Sequence, residues 1–306
     1  KAGSLSSDLA SSIVGARYRM AVLLPLKAGL VDAYAGYLAA HKVDKPDIWA
    51  ARDVALPPGR DHAPVVVAVW DSGVDSGLFK ERVVTDAAGR PALIAFDKYS
   101  NPATGELAPI PAELRGRLPQ MKSRLKGFSD LQSNIDSPEA SEVKQFLSNL
   151  RPDQYKSAIE ELSLAGQYIH GTHVAGIAVA GNPYARLLNA RIEFSYTLLP
   201  EPCPSRELAE KDARNAQATV DFLKKHGARV VNMSWGGSVK GYEEDLEKCG
   251  LGKTAEERAA TARAYFEITK DALTRAFASA PDVLFVTAAG NSDQDATFVE
   301  DIPAGI

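Results

Sequence analysis

Cysteine, methionine and histidine are all scarce in this chain: its 306 residues include two, three and five of them. Two cysteines exclude a disulfide-dense scaffold and a cysteine-rich zinc fold. Cys203 and Cys249 stand in the polar stretches PEPCPSR and EKCGLG, where they can either pair or remain thiols. An excess of positive charge is also missing. Thirty-five Lys and Arg face 39 Asp and Glu, a net charge of -4, so no basic field is available to neutralise nucleic-acid phosphates. Nor is there a long unbroken apolar run. The best candidate, MAVLLPLKAGLVDAYAGYLAA, is interrupted by Pro25, Lys27 and Asp32. That pattern predicts no membrane span, and Asp32 also speaks against a signal peptide. No methionine precedes Lys1, so the N-terminus reads as a cut. No internal repeat or low-complexity tract stands out.

What is present is ordinary globular material, 45% hydrophobic and 24% charged, enough for one large core or two modest ones. Residues 1–63 are rich in Ala and Ser, close with the loop LPPGRDHAP, and read as an N-terminal arm with one or two helices. VVVAVWDSG then begins at Val65. A run that is apolar on both faces suits a central strand of a parallel sheet. Further strands are predicted over 92–96, 186–194, 229–234 and 283–288, and long helices over 205–227 and 254–280. Strands alternating with helices indicate an α/β fold with a parallel sheet flanked by helices. Residues 98–165 break the pattern: they are Pro-, Lys- and Glu-rich, helical in places, and read as an insertion lying over the core.

The chemistry-bearing residues fall where strands end, the edge at which ligands bind in such sheets. Asp71 closes the most hydrophobic strand; it is either a partnered carboxylate or a cap on the Ser72-Gly73 turn. His170 opens HGTHVAG and stands at the head of a small-residue segment, GTHVAGIAVAG, that reads as a buried helix. It suits a general base, whereas His170, His173 and Asp71 as metal ligands fit poorly. The metalloprotease spacing has a Glu after the first His and the second His four residues on; here Gly171 follows and the step is three. Asn291 ends TAAGN as a possible oxyanion donor or a turn residue. Ser234, Trp235, Gly236 and Gly237 offer free backbone, with no bulk at the two glycines, suited to pairing with an extended peptide or to a plain glycine turn.

Taken together, VVVAVWDSGVD, HGTHVAG, VVNMSWGG and VTAAGN resemble, in order, the signatures of the subtilisin-like serine proteases, over about 64–97 and 166–306. The resemblance implies a seven-stranded subtilisin-like sheet and a serine endopeptidase whose partner is a polypeptide substrate. It implies that Asp71 orients the base, His170 is the base, and His173 is structural. It further implies that Asn291 completes the oxyanion hole, and that Ser234 to Gly237 pair with substrate. No cofactor is required by this resemblance; calcium stabilises many such proteins, but no ligand cluster is apparent. The resemblance alone favours a secreted or extracytoplasmic setting.

One part is absent from the sequence. The family's nucleophile lies in Gly-Thr-Ser-x-Ala, and these residues contain no Gly-Thr-Ser. Ser72 and Ser234 belong to motifs with other roles, and Ser292 follows Asn291 in a turn. Residues 64–306 are therefore expected to be an incomplete catalytic domain, with the serine on a continuation beyond Ile306 or on a complementing chain. The alternative is an inactive subtilase-like module that binds peptides or scaffolds a partner. About 100 residues separate Asp71 from His170 because of the 98–165 insertion.

Overall fold

The computed structural model describes residues 7–44, 46–48, 55–59, 61–291 and 300–306. The chain divides into two compact units, residues 1–55 and 56–306. The first contains α1 (Ser7–Tyr18), a short π-helical turn (Arg19–Leu23) and α2 (Lys27–Ala40). Neither the turn nor α2 buries any residue. Among the described residues no single helix is long and apolar enough to cross a membrane. The pair Ala10–Leu23 and Lys27–Ala40, bent by 84°, reaches that length and composition together.

The second unit is built around five parallel strands: β1 (Val65–Asp71), β2 (Leu93–Phe96), β3 (Ala185–Ile192), β4 (Ala228–Met233) and β6 (Leu284–Thr287), in the order β2-β3-β1-β4-β6. Another pair, β5 (Gly237–Ser238) and β7 (Asp301–Ile302), forms a separate antiparallel ribbon. The helices are α3 (Leu118–Gln132), α4 (Pro138–Ser148), α5 (Pro152–Ala178), α6 (Arg206–Lys225), α7 (Val239–Lys248) and α8 (Ala255–Ala278).

The unbroken apolar run of β1 has a direct cause. Ala68 and Trp70 face a core made with Val220 and Leu223 of α6 and Phe266 and Leu273 of α8. Val67 and Val69 face the other side, against Ala175 and Val179. Both faces are covered, so alternation disappears. Helix starts are set by hydroxyl caps: Ser137, Ser205, Ser238 and Thr254 accept from the backbone N–H of Ala140, Leu208, Gly241 and Glu257. Each such cap contributes about 1 kcal/mol. Pro138 and Pro152 open α4 and α5, where a missing N–H goes unnoticed.

The predicted strands agree with the observed ones within a few residues; β3 stops at Ile192 rather than 194. The 98–165 segment is helical, as expected, through α3, α4 and the first half of α5. The helix carrying His170 differs from expectation. It does not start at the motif: α5 runs unbroken from the insertion through His170 to Ala178, so the histidine lies inside a long helix and not at its head. The expected burial of GTHVAGIAVAG is also only partial. Gly171, Ala175 and Val179 are buried, whereas Ile177 is 66% exposed, since one helix face meets the sheet and the opposite face meets nothing among the described residues.

The two cysteines are paired. Cys203 and Cys249, 46 residues apart, form a disulfide that ties the loop after β3 to the end of α7. Replacing both with serine is expected to lower stability by about 3–4 kcal/mol, the loop-closure value for that separation, read as a lower urea midpoint. An unchanged midpoint would mean that the crosslink does not constrain the unfolded chain.

Candidate active site

In this sheet β1 is central. The chain leaves it for the edge strand β2, returns to β3 beside β1, and then crosses to β4 and β6 on the other side, so its carboxyl end is a topological switch point. Asp71 is the last residue of β1 and is 1% exposed. Its Oδ1 accepts from the Ser72 N–H at 2.6 Å and lies 2.7 Å from Nδ1 of His170. Oδ2 is buried without a hydrogen-bond partner among the described residues. The carboxylate is therefore aimed at the imidazole and shielded from water.

His170 is half exposed. The hydrogen bond it donates to Asp71 pushes its pKa above the usual 6.5, against an opposing effect of burial, and the charge on Asp71 adds to the rise. With Nδ1 committed to Asp71, Nε2 is the nitrogen left to exchange a proton with a substrate or nucleophile.

Three contacts fix the approach of α5 to the end of β1. Ser72 Oγ donates to the Gln167 carbonyl at 2.5 Å and accepts from the Gly171 N–H at 3.2 Å. Thr172 Oγ1 accepts from the Asp75 N–H at 3.0 Å. Gly171 and Gly73 touch backbone to backbone: a Cβ on Gly171 would sit 2.3 Å from the Gly73 carbonyl oxygen. Gly73 is itself at φ +114°, and a Cβ there would meet the Glu106 carbonyl at 2.3 Å. The two glycines of the DSG and HGTH motifs are thus one contact, which brings Asp71 and His170 within hydrogen-bonding reach.

Sequence reasoning set Ser72 aside, although it latches α5 to the strand end; the signal was its place next to Asp71. It gave His173 a packing role, but His173 is exposed, one turn along the same open face of α5. No three His, Cys, Asp or Glu side chains converge to hold a metal among the described residues.

The remaining predicted residues line the neighbouring strand ends. Ser234 Oγ donates to Asn232 Oδ1 at 2.9 Å. Trp235 Nε1 donates to the Trp70 carbonyl at 2.8 Å, and the two indoles meet edge to face with centroids 5.4 Å apart. Gly237 is not free backbone: it pairs antiparallel with Ile302, so Ser234 to Gly236 are the part of this stretch outside that ribbon. Asn291 is exposed just beyond β6, after Gly290 at φ +93°. Ser292 lies outside the described residues.

A buried carboxylate thus holds a histidine at the carboxyl edge of a parallel sheet. The subtilase family model matches residues 63–305. The chain therefore belongs to the subtilase family, a family of serine peptidases. Searches of curated proteins and of solved structures return no match.

Proposed function

We propose that this chain supplies the acid, base and oxyanion amide of a serine endopeptidase: Asp71, His170 and Asn291. The nucleophilic serine comes from a segment outside residues 1–306. The observation that carries the reading is the 2.7 Å contact between buried Asp71 and His170 Nδ1. Nε2 accepts the serine proton as Oγ attacks the peptide carbonyl, and Asp71 stabilises the imidazolium that results. The imidazolium then protonates the leaving amine. Water attacks the acyl-enzyme by the same route, giving its proton to Nε2 and returning the serine. The Asn291 amide donates to the developing oxyanion.

The open face of α5 and the edge strand β6 support a seat for the serine-bearing segment. Ile177 is 66% exposed, Leu284 61% and Val286 42%, apolar surface on the same chain that carries the base. The disulfide fits an oxidising, extracytoplasmic setting. A fluorophosphonate probe is expected to label the protein together with its serine segment, and His170→Ala to abolish labelling. Failure of the folded, complete protein to label would overturn the proposal.

A second reading, a peptide-binding or scaffolding module without catalysis, is favoured by one observation: the 306 residues contain no Gly-Thr-Ser. It predicts no labelling together with retained binding of extended peptides.

A further inference from the structure

A cavity of about 430 Å³ opens beside the Ser234–Gly237 stretch, within the size range of ligand pockets. Trp70 and Trp235 form one wall, and Trp70 immediately precedes Asp71. Its other walls are the loop after β3, the start of α6, and α7, with the disulfide tying that loop to α7.

The charges around it do not cancel. Lys98 is engaged at 2.9 Å with Glu201, which also accepts from the Tyr99 hydroxyl. Glu193 is paired with Arg191 at 3.2 Å, and Asp97 accepts from the N–H groups of Tyr99 and Asn101. Two carboxylates remain. Asp245 has Lys248 at 3.5 Å on its own helix. Asp212 accepts from Ser100 Oγ and has no cation among the described residues. Burial pushes both carboxyls above the ordinary range, opposed at Asp212 by the Ser100 hydrogen bond alone and at Asp245 by the Lys248 ammonium. A cavity lined by Trp70, Trp235 and the Asp212 carboxylate is complementary to an organic cation on an apolar stem, since aromatic rings and carboxylates both attract it. A neutral apolar side chain would satisfy only the walls.

We infer that this cavity is a specificity pocket that takes a lysine or arginine side chain of the polypeptide substrate, with Asp212 as the counter-ion and Trp70 and Trp235 as the walls along its stem. The inference rests on the reading that substrate runs along the Ser234–Gly236 stretch. It adds a residue that determines substrate choice on a helix, α6, outside the family motifs quoted above.

The test uses the complete protein, with its serine segment, carrying His170→Ala so that peptides bind without turnover. Alanine hexapeptides with one arginine, lysine or norleucine at each position in turn are titrated by fluorescence anisotropy. One position should bind arginine or lysine about tenfold more tightly than norleucine, the size of one charge-assisted hydrogen bond. Asp212→Asn, which preserves the acceptor for Ser100, should collapse that ratio to near one. If the protein with His170 intact labels with fluorophosphonate while its His170→Ala form shows no basic preference, or keeps that preference in Asp212→Asn, the pocket is overturned and the peptidase reading stands. No labelling and no peptide binding overturns both.

Discussion

Asp71→Asn should reduce kcat by about ten-thousandfold, the loss expected when an orienting carboxylate no longer fixes the imidazole tautomer. The reason lies in one hydrogen bond. Nδ1 of His170 is held at 2.7 Å by a carboxylate that is 1% exposed. An amide in that place can present its NH₂ to Nδ1 and leave Nε2 carrying the proton, the wrong form for a base. A pH signature accompanies the rate. The Asp71 hydrogen bond raises the His170 pKa above 6.5, and the base works only when neutral. The acidic limb of activity therefore lies above the ordinary histidine value, and in Asp71→Asn it should move to lower pH. Stability follows the same linkage. Because the folded value is raised, the stabilisation from protonated His170 is fully present below the unfolded value of about 6.5. It is lost as pH rises through the folded value. NMR titration of the His170 ring reads the shift directly. An unchanged midpoint with a rate loss under tenfold would remove Asp71 from the relay.

Gly171→Ala should be the most damaging single methyl group that can be added to this helix. Its Cβ would sit 2.3 Å from a backbone oxygen, and within 3.1 Å of two further Gly73 backbone atoms. Backbone cannot rotate aside as a side chain can, so α5 must lift from the strand end or β1 must distort. A destabilisation of at least about 3 kcal/mol is expected, with Tm lower by roughly 10 °C. The matched control is Gly176→Ala on the same helix, where no described residue lies within 4 Å of an added Cβ. There the helix-propensity gain of up to about 1 kcal/mol should show instead. Equal Tm values for the two variants would mean that the glycine contact does not position the helix.

These residues also show what was legible in the sequence. β1 and β4 were readable because burial on both faces leaves an unbroken apolar run, and the helices after 205 and 254 were readable from their periodicity and caps. Asp71 and His170 were readable as neighbours because their motifs set uncommon residues in a fixed order; Gly237, read as free backbone, pairs with Ile302 instead. The course of α5 was not readable. Glycine costs a helix interior about 1 kcal/mol relative to alanine, so Gly166 and Gly171 read as a boundary, while the long-range contact with Gly73 that requires Gly171 leaves no local trace. The exposure of His173 was hidden for a related reason: a face of small and apolar residues looks the same in sequence whether or not anything covers it. The β5–β7 ribbon is too short to give a pattern. The Cys203–Cys249 pairing depends on bringing a loop and a helix end together across 46 residues. Asp212 belongs to no motif and is distinguished only by the cavity it faces.

The unbroken course of α5 has a mechanical consequence. At 1.5 Å per residue, its insertion end lies about 27 Å from His170, while the helix is pinned against β1 at Gly171, the very next residue. The helix is also held at Gln167 and Thr172 and packs on the sheet through Ala175 and Val179. It is thus a stiff arm clamped over about three turns around the histidine, with the turns before Gln167 projecting from the clamp. A load on the projecting end is resisted by the clamp as a whole, and the imidazole stays in register with Asp71.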